Sequence, residues 1–207
     1  LDLVKEEIPG SITNLIINGP QSEFAEEELY KIDQYIMRGG NLMVFLDPLN
    51  EVQGEMYQYY GMMEFVENNT GLETLLEKYG VRPEKKIVLD SSSYSATEQG
   101  YGKLDFYYIP LLHKNTLDQK NPISANLSYV LMYQMGQLTL TDAASSSGIT
   151  AKVLAKTSQK AWTLGAKDFI ANPLYMSIPS EDTFSQENLI VLLEGKFNSA
   201  FDKTPEQ

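Results

Sequence analysis

The sequence predicts an α/β fold, a mostly parallel sheet flanked by helices, with a β-rich C-terminal part. Two observations carry the α/β expectation. The runs "NLIIN" (Asn14 to Asn18) and "NLMVFL" (Asn41 to Leu46) bracket a stretch with helical periodicity, which makes a strand–helix–strand unit. A second helical stretch, "TGLETLLEKYG", then leads into a third apolar run, "KKIVLD" (Lys85 to Asp90). A third observation, a change of texture near residue 125, carries the β-rich ending.

Each element follows from its pattern. "NLIIN" is short and rich in isoleucine, so it reads as a strand buried on both faces. "GPQS" is a turn. From Glu23 to Arg38, Ala25, Leu29, Ile32 and Ile36 share one face at the 3.6-residue period. Ser22 suits the N-cap, and Glu26, Glu27 and Glu28 sit where the helix dipole favours anions. Gly39 suits the left-handed position after the last turn. "NLMVFL" is the next strand, parallel to the first. "EVQGEMYQYYGMMEFVENN" (51 to 69) has no clean period. "SSSYSATEQGYGK" reads as a polar, exposed loop. "LSYVLMYQMGQLTLTD", "ITAKVLAKTS" and "NLIVLLEGKF" read as strands, a β-rich continuation over roughly 125 to 207 of one domain spanning 1 to 207.

Composition narrows the function. The chain has 207 residues, 43% hydrophobic and 21% charged, which fits an ordinary globular protein. Its formal charge of −12 repels phosphate backbones, so no nucleic-acid partner is expected. Cysteine is absent, which removes disulfides, thiolate metal sites and a cysteine nucleophile. No apolar run is long enough to span a bilayer. The chain opens at Leu1 in a strand-like segment, which reads as an excised fragment. Membrane contact is therefore expected only through segments outside it.

Catalytic motifs are missing. The one histidine, His113 in "LLHKN", has neither metal-ligand company nor a triad serine, so it reads as structural or superficial. There is no phosphate-binding loop, and "GYGKLD" lacks the third glycine and preceding strand of a dinucleotide site. No cofactor and no metal is expected. "NNT" and "NLS" match the glycosylation sequon by short pattern alone. One pattern stands out: three apolar strands end in polar residues, Asn18, Asp47 and Asp90. On a parallel sheet these ends share the edge where ligands bind. Each also starts a good turn, because a short polar side chain bonds the next backbone amides, and that reading is preferred.

The motifs in order resemble one family. "LIINGP", "ELYKIDQYIMRGGNLMVFLDP", "LETLLEKYGV", "IVLD", "NPI", "VLAKTSQKAW" and "LLEGKFNSAF" together cover nearly the whole chain. They resemble the auxiliary, extracytoplasmic, substrate-binding-like component of an ABC-type transport system, the group named for gliding motility. The resemblance implies a three-layer, class I glutamine amidotransferase-like or flavodoxin-like fold. It also implies a protein held at the periplasmic side of the inner membrane. Amidotransferase chemistry needs a cysteine thiolate, which this chain lacks, so the resemblance implies a scaffold reused for binding.

Three functions follow as expectations. The first is a non-catalytic auxiliary domain that associates with a permease or another envelope protein. Its docking surface would hold Met56, Tyr57, Tyr59, Tyr60, Met62, Met63 and Phe65, since Tyr and Met are favoured at binding surfaces. The same side chains would otherwise pack on the sheet. The second is a small-ligand or glycan receptor using Asn18, Asp47 and Asp90. The third is a hydrolase with Asp47 and Asp90 as paired carboxylates.

Overall fold

The computed structural model describes residues 1–145 and 148–205. The chain runs β1 (Asn14–Asn18), α1 (Glu26–Met37), β2 (Asn41–Phe45), β3 (Leu49–Val52), α2 (Glu55–Tyr60), β4 (Glu64–Glu67) and α3 (Leu72–Tyr79). It continues through β5 (Val81–Asp90), β6 (Ser93–Glu98), β7 (Gly102–His113), β8 (Tyr129–Leu131), β9 (Gly136–Leu140), β10 (Ile149–Lys156), β11 (Ala161–Gly165) and β12 (Asn188–Gly195).

The strand–helix–strand unit is present: β1 and β2 pair in parallel, Asn14 opposite Asn41 and Asn18 opposite Phe45. There the expected fold class ends. The other sheets are antiparallel: a β3–β4 hairpin, a β6–β7–β8 sheet, and a five-stranded sheet ordered β10-β12-β9-β5-β11. The protein is therefore β-rich and mostly antiparallel, not a parallel-sheet, flavodoxin-like or amidotransferase-like layer fold. The misreading has a physical source. The buried run Ile87 to Leu89 of β5 is apolar on both faces, and such a run looks the same whether its neighbours are parallel or antiparallel. Here those neighbours, β9 and β11, both run antiparallel.

Two further expectations are corrected. "SSSYSATEQGYGK" is not a loop. Ser93 to Glu98 forms β6 and pairs with β7 around a turn at 99–101. Nor is "NLIIN" buried on both faces. Leu15 and Ile17 with Leu42 and Val44 face α1 and α3, but Ile16, Met43 and Phe45 are more than half exposed on the other face. No helix among the described residues covers that second face of the pair.

The core over the β1–β2 unit contains Ile32 and Tyr35 of α1, Leu72, Leu75 and Tyr79 of α3, and Ala200 of the C-terminal tail. At its centre lies a polar group. Asp33, fully buried, accepts hydrogen bonds from Tyr79 Oη (2.6 Å), Ala200 N (2.7 Å), Ser199 Oγ (2.8 Å) and Gln34 Nε2 (2.9 Å). Burial and the neighbouring carboxylate push the Tyr79 phenol well above its ordinary range, so it stays a donor. A second core joins β3, β4, β5, β7 and β11 through Leu49, Phe65, Ile87, Leu89, Tyr108, Trp162 and Phe169. No helix among the described residues is long and apolar enough to cross a membrane.

α1 starts one turn later than expected, with Ala25 at the N-cap; Glu28 reaches back to the Ala25 amide (2.8 Å). Its end is as expected. Gly39 has φ of +94° and its N–H donates to Ile36 O. Gly40 follows because a Cβ there would sit 2.2 Å from the Tyr35 ring.

Gly39→Val should cost about 1–2 kcal/mol or more in urea denaturation, because a β-branched residue resists positive φ. Tyr79→Phe should cost about 1.5–3 kcal/mol by the same measurement, the scale of a hydrogen bond to a charged group. A loss below about 0.5 kcal/mol would show that water replaces the phenol.

Candidate functional site

The three strand-end residues do not converge. Asn18 is exposed at the end of β1. Asp47, beyond β2, lies close to it: Oδ2 is 3.7 Å from where a Cβ on Gly19 would stand. Asp90 ends β5 in a different sheet and is fully buried.

Asp90 does what a turn-making residue does, and more. Its carboxylate accepts from the Ser92 amide (2.9 Å), two residues on, and from Ser158 N (2.6 Å) and Oγ (2.5 Å). It thereby fastens the β10–β11 connection to the end of β5. Sealed and saturated, it is not available as one of a pair of catalytic carboxylates. Asp47 departs from expectation. Its carboxylate accepts no hydrogen bond from the described residues, so it does not fix its turn. Loss of hydration beside the chain pushes its carboxyl above the usual carboxylate range, although the residue as a whole is exposed.

The turn after β2 is fixed instead by Asn68, which the sequence reading passed over. Asn68 is fully buried. Its Nδ2 donates to Pro20 O (2.9 Å) and Asp47 O (3.0 Å), its Oδ1 accepts from Asn50 Nδ2 (3.1 Å), and its amide donates to Pro48 O (3.1 Å). One side chain thus ties together the segments leaving β1 and β2. The Thr70 carbonyl adds a bond from Phe24 N. Lys85 bonds Asn68 O and Glu73. Burial alone would push the Glu73 carboxyl up, but Lys85 and the Thr70 amide outweigh it and hold the carboxyl below its usual range. The crevice beyond the parallel strands is therefore filled by protein. The only sequence signal was the "NNT" match, and a fully buried Asn68 cannot carry a glycan.

The segment from Met56 to Phe65 divides. α2 lies between β3 and β4, bounded by Gly54 and Gly61, with its Met56 amide bonded to Glu64 Oε1 (2.7 Å). It buries none of its six residues. Tyr59 (78% exposed), Tyr60 (70%) and Tyr57 (40%) stand outward. Met56, Met62 and Met63 are half-buried. Phe65 points inward and packs on Phe169, ring centroids 4.7 Å apart. From Phe169 the aromatic contacts run to Tyr108 and on to Tyr133, which is again exposed. Gln134 has φ of +50° and donates to both Tyr133 Oη (3.0 Å) and Glu51 Oε1 of β3 (3.4 Å). Burial and Glu51 push the Tyr133 phenol up. Gln134 thus joins the β3–β4 hairpin to the β8–β9 turn, a long-range meeting with no local signal in sequence.

The scaffold is β-rich with one βαβ unit, a filled crevice at the parallel strand ends and an outward tyrosine face on α2. The chain belongs to the ABC_transp_aux family, described as an ABC-type uncharacterized transport system, whose model matches residues 1–207. No curated protein is significantly similar to it. Among solved structures it is similar to "mmIFT52 N-terminal domain" at 15% identity and a TM-score of 0.48, over 73% of this chain. The chain spans only 55% of that structure's length.

Asp90→Asn should lower stability by about 3 kcal/mol in urea, because an amide cannot accept all of the bonds the carboxylate accepts. Asp47→Asn should behave oppositely. A folded-state value above the unfolded one means that the protonated acid favours folding. That contribution is complete below the unfolded value and is lost as pH rises through the raised folded value. At pH 7 the ionised Asp47 opposes folding, so the melting temperature of Asp47→Asn should equal or exceed the parent's. A clear fall would show that the carboxylate does hold the turn.

Proposed function

We propose that this chain is a non-catalytic, extracytoplasmic auxiliary domain. It acts by protein–protein association with a permease or another envelope protein, at the periplasmic side of the inner membrane, where further segments of the full-length protein anchor it. One observation carries the reading: α2 exposes Tyr57, Tyr59 and Tyr60 while the fold buries Phe65 directly beneath the same hairpin. An outward aromatic cluster on an inward anchor is a rigid contact surface, and half-buried methionines at its base let it adapt. Tyrosines supply contact area with little rotamer entropy to lose. Family membership supports the transport partner. The small-ligand or glycan reading finds less support, because Asn68 fills the crevice it would use and Asp90 is enclosed.

The test uses the full-length protein in detergent-solubilised membranes. Replacing Tyr59 and Tyr60 together with Ser should reduce co-purified permease at least about tenfold, the loss of one binding hot spot. The melting temperature should stay within about 2 °C of the parent, as for surface changes. Undiminished capture by a folded double variant would overturn the proposal.

A further inference from the structure

One stretch of this acidic chain carries no charge. Between Lys120 and Asp142 every residue is neutral, the longest such run in the sequence. It contains β8, an edge strand of the β6–β7–β8 sheet. Met132 N–H and Gln134 N–H donate to Pro110 O and Tyr108 O of β7, while Leu111, opposite Leu131, donates instead to Ser92 O on the β6 side. With the two-residue period of a strand, even-numbered residues of this stretch therefore bond β7. The N–H and C=O of Tyr129 and Leu131 point the other way and find no backbone partner among the described residues. The side chains alternate as well. Val130 and Met132 pack in the core with Leu112, whereas Tyr129, Leu131 and Tyr133 are exposed, as are Ile123 and Leu127 just before them.

Other edges carry charge or a cover. β10 has Lys152, Lys156 and an irregular register. β11 lies between Lys160 and Lys167, and Ser185 bridges to its Ala161. β6 ends in Glu98, and β3 and β4 hold Glu51, Glu64 and Glu67. β1 and β2 are also unpaired on their outer sides, but β1 lies against Leu1 to Leu3, and Asp47 follows β2 directly after Leu46. β8 has no charge, no proline and no break in register.

That neutrality selects the occupant. A charged partner finds no counter-charge on this edge. Two copies of a chain of charge −12 repel one another, and they meet at least cost where both are neutral. An antiparallel edge is also self-complementary, because a two-fold axis brings the same outward N–H and C=O groups together in pairs. Two ionisable groups stand beside the stretch. Glu51 of β3 bonds Gln134, past the end of β8, so antiparallel pairing puts the two copies' Glu51 at opposite ends. His113 lies opposite Tyr129 on β7, one strand in from the edge. Across the pair the two imidazoles are separated by three strand spacings, roughly 14 Å, beyond the screening length of about 8 Å.

We propose that this protein pairs with a second copy of itself through β8, antiparallel and about a two-fold axis. Tyr129 and Leu131 close their outward backbone bonds across that axis, and their side chains pack on those of the opposing β8. The contact does not involve α2, so it stands or falls independently of the permease reading.

The experiment is sedimentation equilibrium of this chain with amide exchange by NMR. The mass should rise with concentration toward twice 23.3 kDa. Added salt should tighten the dimer, because it screens repulsion between two acidic copies while the paired edge has no ion pair to lose. At concentrations that form the dimer, the Tyr129 and Leu131 amides should exchange at least tenfold more slowly than in dilute protein. The Val130 amide, bonded to β7, should be equally protected in both. Leu131→Lys places like charges near the axis on an exposed site, so it should keep the circular dichroism spectrum and weaken the dimer at least tenfold. Ile16→Lys, on the exposed face of β1, should leave the dimer unchanged. A monomer at up to about 1 mM overturns the proposal. So does a dimer that salt weakens, one that a folded Leu131→Lys variant keeps, or one that forms without slowing Tyr129 and Leu131. Loss of the dimer in Ile16→Lys alone would assign the contact to the β1–β2 face instead.

Discussion

Burying the Asp33 carboxylate forces the rest of the N-terminal half into place. A carboxylate removed from water is tolerated only when donors surround it. Asp33 takes its donors from three places: its own helix through Gln34, α3 through Tyr79, and the C-terminal tail through Ser199 and Ala200. The tail can satisfy Asp33 only by crossing back over α1 and α3, and that path lays Phe197 and Phe201 on the same core. Lys78 bonds the Ala200 carbonyl and holds the tail from the other side. Such a network adds little net stability over an apolar core, but it permits one arrangement only.

The same device recurs at the other seams. Asp90 joins the end of β5 to the β10–β11 connection through Ser158. Thr157, next to it and fully buried, accepts the Glu187 amide and so ties that connection to the start of β12. Asn68 joins the exits of β1 and β2 to β3. Each polar residue stands where two sheets or a sheet and a helix meet, and each is satisfied by backbone groups of the segments it joins. The motifs that carry the family resemblance are largely these residues: Asp33 in "KIDQYI", Asp90 in "IVLD", Thr157 and Ser158 in "AKTSQKAW", Ser199 and Ala200 in "GKFNSAF".

This explains how much of the fold was legible. Local patterns were read well: β1, α1, β2, α3 and the left-handed Gly39 each follow from period and punctuation. Pairing was not, because the direction of a neighbour leaves no trace in a run such as "KIVLD". The β6–β7 hairpin was hidden by its serines and threonine, which suit an exposed edge strand as well as they suit a loop. At the candidate site, Tyr57, Tyr59 and Tyr60 were visible as a cluster, but their separation from Phe65 depends on a six-residue helix set between two strands. Gln134 and Asn68 were invisible because their roles come from partners far along the chain.

The distribution of polar and apolar groups then bears on function. The fold places acids and amides inside, fully bonded, and leaves tyrosines on α2 and isoleucine, methionine and phenylalanine on the open face of β1 and β2 outside. A catalytic pocket uses its buried polar groups incompletely, keeping lone pairs or protons free for a substrate. Asp33, Asp90 and Asn68 keep little in reserve. Their bonding capacity is consumed in holding backbone segments together.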